Sequence, residues 1–265
     1  MSFGSPGSEL STLPSANIDD LDVDKIDRWL KANFPHLADQ ETPREDALIR
    51  LRLASLMGPR VVPHVAAILA FGREPQWLLP HTGIAFASYA GPSLSSEVLA
   101  RAHVGGTLAE LHKSAIELIR VHSRAVINQV DPDASVSEFP AAAVFEAVAN
   151  AIVHRDLRAP GSIQIRIFPG RLEIWSPGPA NALPEPIENY LAGQGVSLAR
   201  NPMIAVLARL EGMSEQLGRG LSVMKDSVQR DTGGRVQIQS TKDGVTVTIP
   251  STFAVMTDQK LQTAN

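Results

Sequence analysis

The sequence predicts an α+β fold: a small α/β module followed by a two-layer α/β sandwich. Three observations predict it. SIQIRIF and RLEIWS alternate apolar and polar residues on either side of Pro169-Gly170, as the half-buried strands of a hairpin do. RVQIQS and VTVTIP repeat that pattern around Asp243-Gly244, the strongest short turn signal in the chain. Three helical segments lie before and between these pairs: FPAAAVFEAVANAIVHRD, NPMIAVLARLEG and a stretch from Gly220 to about Arg230.

Composition narrows the function classes. At 265 residues the chain has room for one large domain or two modest ones, and 44% hydrophobic residues can supply a core. A net charge of −4 argues against a surface that is wholly a nucleic-acid footprint, while a local basic patch is still compatible with it. With no cysteine, disulfides, thiol catalysis and thiolate metal sites are excluded. MSFGSPGSELSTLPSAN lacks the basic start and apolar stretch of a signal peptide. The longest apolar run, around VVPHVAAILAFG, is broken by Pro63 and His64 and is too short to span a bilayer. A cytoplasmic protein without membrane association is expected.

In chain order, residues 1–17 are rich in Ser, Pro and Gly and are expected to be disordered. Residues 18–130 form the first module, 131–251 the sandwich, and 252–265 a flexible tail. From Ile18 to Phe34 an amphipathic pattern places Ile26, Trp29 and Leu30 on one side. A second helix is expected from Pro43 to Met57, with Leu48, Leu51 and Leu56 at helical spacing. Its Arg44, Arg50 and Arg52 read either as a basic strip or, more simply, as a solvated face beside Glu45 and Asp46. HVAAILAFG and GIAFASYAG, short and apolar between Gly or Pro, are expected to be buried strands. A long helix should follow from about Ser95 to His122, with a break at Gly105-Gly106. His64, His81, His103, His112 and His122 have no ligand-like spacing. DPDASVSEFP marks a boundary, with Ser137 as candidate N-cap and Pro140 in the first turn of the next helix. Pro177 to Ser197 is a long loop rich in Pro, Gly and Asn, a length that usually signals function or motion.

His154-Arg155-Asp156-Leu157 matches the start of a protein-kinase catalytic loop, but the position that should be the metal-binding Asn is Gly161. No DFG, APE or strand lysine accompanies it, which excludes the kinase.

Three elements carry candidate chemistry. On the predicted helix, Glu146 and Asn150 are four residues apart and share a face, with His154 one turn further. An amide oxygen suits a hard cation such as Mg²⁺, and a neighbouring carboxylate can orient or deprotonate a water. Gly218-Arg219-Gly220 opens a helix, where free N–H groups and the helix dipole favour an anion and Arg219 adds charge. Trp175-Ser176-Pro177-Gly178 ends a strand beside the long loop, where a turn could admit a flat ring and Ser176 could bond to it.

The order of these elements resembles the Bergerat-fold (GHKL, histidine-kinase-like) ATP-binding domain. FEAVANAIVHRDLRAPGSIQIRIFPGRLEIWSPG is similar to a branch found in bacterial and archaeal ATP-binding transcriptional regulators and helicase-related, Schlafen-type proteins. The matching positions are Glu146, Ala147, Asn150, Ala151, His154-Arg155-Asp156, Arg171-Leu172-Glu173-Ile174, Pro177-Gly178, Arg200-Asn201-Pro202 and Gly218/Gly220. The resemblance implies a nucleotide-binding regulatory protein, with ATP and Mg²⁺ as cofactors and weak ATP hydrolysis as an accompanying activity. Glu146 would be the base and Asn150 the metal ligand. Asn150, His154, Asp156, Ser176, Gly178, Gly218, Arg219 and Gly220 would surround the nucleotide. A homodimer is the implied assembly, and nucleic acid would be reached through a partner or through a nucleic-acid-binding domain expected to be missing here. The wider superfamily reads adenine with an Asp, where this chain has Ser176-Pro177-Gly178. That departure motivates the alternative: a non-catalytic dimerising scaffold or DNA-associated regulator that has lost nucleotide binding.

Overall fold

The computed structural model describes residues 8–38, 42–126, 136–179, 199–213 and 219–253. Its centre is one six-stranded mixed sheet. The strands are β3 (Ile84–Tyr89), β4 (Val98–Val104), β7 (Ile163–Phe168), β8 (Arg171–Pro177), β9 (Gln237–Ser240) and β10 (Gly244–Pro250). Their order across the sheet is β4-β3-β7-β8-β10-β9. β3 and β7 run parallel, and every other neighbouring pair is antiparallel. Strands from either side of the expected junction at residue 130 therefore share one sheet.

Three helices cover one face. They are α5 (Leu108–His122), α6 (Ala141–His154) and α8 (Gly220–Thr232), which pack on β3, β4, β7, β8 and β10. The strand period of two explains the layering. Ile163, Ile165, Ile167, Leu172 and Ile174 point into this layer and are buried, while Gln164, Arg166, Arg171 and Glu173 alternate onto the other face. There Glu173 bonds Arg171 at 2.8 Å. This is the expected two-layer α/β sandwich, and both hairpins and α6 occupy the segments predicted for them.

Several elements differ from expectation, each for a physical reason. HVAAILAFG forms helix α3 (Val65–Phe71), not a strand. Six of its seven residues are buried, so no amphipathic period survives to separate the two, and its alanines favour a helix. The helix expected over Pro43–Met57 stops as α2 (Arg44–Arg50). Arg52 turns left-handed at φ 56°, Leu53 N–H closes back on Leu48 O at 2.8 Å, and the chain becomes a hairpin of β1 (Ala54–Met57) and β2 (Arg60–Pro63). The helix expected from Ser95 begins only at Leu108, because residues 98–104 pair with β3 as β4. Gly106, at φ 123°, and a capping box between Thr107 and Glu110 start α5. Ser137 is not an N-cap, since it lies in the short strand β6 (Val136–Ser137) paired with β5 (Ala125–Val126).

The N-terminal segment is docked where composition suggested disorder. Ser11 O accepts from Val65 N–H, Thr12 bridges His64, and Ala16 is fully buried. Glu9, 1% exposed, accepts from the N–H of Met203 in the first turn of α7 (Pro202–Leu210). At the other end, Glu138 is buried and takes hydrogen bonds from Arg124 and Ser251, and Thr252 bonds back to Glu138 O. Residues 180–198 of the long loop, Gly218 and the tail from 254 onward lie outside the described residues.

Burial raises the Glu9 carboxyl above its ordinary 4.5, against the opposing pull of the Met203 N–H. The folded protein therefore holds that proton more tightly than the unfolded chain, and the ionised form costs stability above pH 4.5. Glu9→Gln keeps an acceptor for Met203 without the charge. It should be more stable than the parent at pH 8 by about 1 kcal/mol in urea unfolding, and the margin should close towards pH 4.

Candidate functional site

α6 carries Glu146 and Asn150 as the sequence spacing requires, and its next turn ends in His154. The helix is buried on most sides, with Ala143, Ala147, Val148 and Ile152 in the core, so the polar pair stands out against an apolar background. Glu146 is only 5% exposed. Its carboxylate lies against Gly220, the first residue of α8, so closely that a Cβ there would overlap Oε2 and sit 3.0 Å from Cδ. Arg219, the N-cap of α8, gives no side-chain cap, so the start of this helix meets a carboxylate from α6. A negative group at a helix N-terminus is favoured by the dipole. The polar face of α6 and the glycine bend thus converge.

One turn along, Asn150 is half-buried, and its Nδ2 has no hydrogen-bond partner among the described residues. A buried amide without a partner costs roughly 1–3 kcal/mol, and such an atom marks a place where a polar ligand or water would be welcome. Arg219 is exposed, and Gly218 lies outside the described residues.

The remaining predicted residues form a second cluster at the C-terminal end of α6. Asn201 is 1% exposed, and its amide donates to Val153 O at 2.8 Å and Arg155 O at 2.9 Å. These carbonyls lie at the helix end, which has no intrahelical donors of its own. Asn201 precedes the Pro-initiated α7 and from sequence alone would read as its N-cap. Its side chain closes α6 instead, and Glu9 serves α7.

Asp156 pairs with Arg200 at 3.0 Å, and its backbone N–H bonds Pro177 O at 2.8 Å. Burial works to raise its carboxyl, but the Arg158 N–H and guanidinium, with the Arg200 charge, outweigh it and hold the group below 3.8. Gly178 fits between these partners at φ 94°. A Cβ there would come within 2.5 Å of Asp156 Cβ and 2.7 Å of Arg200 Nη1. Ser176 is buried, and its hydroxyl donates to Ala151 O at 3.0 Å, tying β8 to α6. Arg155, 2% exposed, donates from Nη2 to His81 O and Gly161 O, while its Nε and Nη1 have no partner among the described residues. Burial lowers this guanidinium to about 10, with the Asp156 charge opposing. Burial first, and the Arg200 charge second, hold the His154 imidazole below its ordinary 6.5.

The predicted residues therefore fall into two groups. Glu146 and Gly220 touch, with Asn150 and Arg219 nearby in sequence, whereas Asp156, Ser176 and Gly178 are engaged with partners inside the chain. Arg200 and Asn201 are the cluster members that residue chemistry alone did not single out. The Asn-Pro at a helix start was the available signal, and it points to the wrong helix. Two cavities lie elsewhere, one of ~240 Å³ beside His81 and Leu157 and one of ~320 Å³ beside Trp29 and Glu211.

Comparisons with known proteins point to an ATPase-like domain. Residues 161–249 match the family described as "Putative ATP-dependent DNA helicase recG C-terminal". The match takes in Ser176, Gly178 and Gly220 but not α6. No curated protein matches the chain. Among solved structures, the DIP2311 protein from Corynebacterium diphtheriae superposes with a TM-score of 0.63 at 23% identity, over 92% of this chain and 46% of that one. The likeness is one of fold, and this chain spans about half the length of that protein.

Asn201→Ala should destabilise the protein by about 2–4 kcal/mol in denaturant unfolding, since two buried carbonyls lose their donors. Asn201→Asp, which turns an acceptor towards both, should be worse. Because the folded pKa of His154 is depressed, its stabilising effect is complete above pH 6.5 and is lost as the pH falls towards that lower value. The melting temperature should fall below pH 6.5, and His154→Gln should flatten part of that fall. The remainder belongs to His112, which burial lowers against the opposing bond to Phe145 O.

Proposed function

We propose that the protein binds ATP with Mg²⁺ and acts as a nucleotide-dependent transcriptional regulator of Bergerat type, with weak ATP hydrolysis. The observation that carries this reading is the meeting of Glu146 with Gly220, at the start of α8 and one turn from Asn150, whose Nδ2 has no hydrogen-bond partner among the described residues. The residues fit such a ligand. A Cβ at position 220 would displace the Glu146 carboxylate, and Asn150 can present its oxygen or its N–H₂ to a bound group. No group of three His, Asp or Glu converges among the described residues. Mg²⁺ would therefore be held by Asn150 together with phosphate oxygens and water, as this ion prefers. When bound, the metal and nucleotide would supply a polarised terminal phosphate.

The chain's own residues do the rest. Gly220, at the start of α8, would offer its backbone N–H to the phosphates and Arg219 would add charge, and the resemblance assigns Gly218 to the same turn. With a nucleotide bound, Glu146 would be the base that accepts a proton from water on the same face of α6. Its buried setting excludes bulk solvent. His154, Asp156, Ser176 and Gly178 would shape the wall beside the nucleotide, with the polar atoms of Asp156, Ser176 and Gly178 bonded to protein partners.

A specific observation favours the second reading, a dimerising scaffold or DNA-associated regulator without nucleotide. Ser176 stands where the wider superfamily places its adenine-reading Asp, and its hydroxyl is engaged with Ala151. Thermal shift separates the two. Mg-ATP at about a hundred times its dissociation constant should add ~2.7 kcal/mol of stability, and Asn150→Ala should lose the effect. Gly220→Ala should fold yet fail to bind, while Glu146→Gln should bind and stop turnover. No shift for the parent protein with ATP or ADP selects the scaffold.

A further inference from the structure

The β1–β2 hairpin is anchored at its base and free at its tip. At the base, buried His64 holds Ser55 Oγ at 2.7 Å and Arg52 O at 2.9 Å. At the tip, Met57 pairs with Arg60 across the two-residue loop Gly58-Pro59. Gly58, at φ 61° in the first loop position, fits a tight primed turn, and a Cβ added there would meet nothing within 4 Å. Leu56 is 64% exposed and Met57 45%, an unusual pair of large apolar side chains to leave in water on a rigid ribbon.

Charge runs along this hairpin, from Arg50 and Arg52 at its base to Arg60 at its tip. From Arg50 to Pro63 the chain carries three arginines and no acidic residue, within a protein of net charge −4. Arg50, Arg52 and Arg60 are all exposed, and none forms an ion pair among the described residues. Arg44, on the same helix, is by contrast held by Asp27 at 2.7 Å. Arg52 is also the one non-glycine residue at positive φ among the described residues, at the helix-ending position that glycine usually takes. A strained arginine where glycine would be strain-free is a reason to look for what its charge contacts.

The geometry points to this hairpin as a wedge for duplex DNA: Arg50, Arg52 and Arg60 contact phosphates while Leu56 and Met57 enter a groove and press on a base step. Exposed arginines without ion pairs among the described residues, at the base and at the apolar tip, match a polyanion that flanks a groove, and apolar wedges between base steps are an established way to grip a duplex. The site is separate from α6 and α8, so it does not rest on nucleotide binding.

Fluorescence polarisation with the whole protein and a short labelled DNA duplex tests it. Three phosphate contacts predict a slope of about −2.7 in log K against log salt, roughly a fortyfold loss of affinity from about 50 to about 200 mM. Arg50→Ala/Arg52→Ala/Arg60→Ala should abolish binding. Leu56→Ser/Met57→Ser should weaken it about tenfold and leave the slope unchanged. Arg52→Gly should weaken binding while raising the melting temperature, which separates loss of contact from loss of fold. Asn150→Ala should bind DNA as the parent does. The proposal falls if no binding is seen at about 50 mM salt, if the triple variant binds normally, or if single strands compete equally. It also falls if the tip variant changes only the oligomeric state, which would make the hairpin a contact between copies.

Discussion

A helix that ends inside a protein must find donors for its last carbonyls, and α6 ends inside this one. Asn201 supplies them from a segment nearly fifty residues away, and the consequences spread from there. The chain that brings Asn201 into place also brings Arg200, whose charge settles on Asp156. Asp156 and Arg200 then press so closely on β8 that only glycine fits at position 178. His154-Arg155-Asp156, Pro177-Gly178 and Arg200-Asn201-Pro202, three motifs far apart in sequence, are one contact in space. Because the same turn of α6 is thereby fixed to the sheet, Asn150 and Glu146 are held one and two turns back at a set distance from β8 and α8.

Charge is buried at several points, and the compensation differs at each. Glu138 has a guanidinium, a hydroxyl and a backbone N–H, and it joins the ends of the sandwich. Arg155 has two carbonyl partners among the described residues and binds the loop at His81 to the loop before β7, while burial leaves its guanidinium easier to deprotonate than usual. Glu146 has the start of a helix.

Legibility from sequence followed exposure to solvent on one side. β7 and β8 each have a buried face and a more open one, so their alternation was visible, as was the single apolar side of α1 (Val23–Asn33). α3 has no wet face, and its run of buried residues matched a strand as well as a helix. β4 misled in the opposite way. Its Leu99, Arg101 and His103 face solvent, and without the partner strand β3 nothing in the residues alone distinguished it from the helix that follows. The docking of residues 8–16 was hidden because it depends on single contacts, such as Glu9 with Met203, between segments 194 residues apart.

The residue order by itself determined the sandwich, the two hairpins and the placing of Glu146 and Asn150 on one helical face, because those follow from local periodicity and short-range turn chemistry. Only the tertiary structure decided that Glu146 would meet Gly220, that Asn201 would serve α6 and not its own helix, and that Ser176 would bond to Ala151. Each of those choices satisfies a buried polar group, and which groups become buried is not known until distant segments have packed.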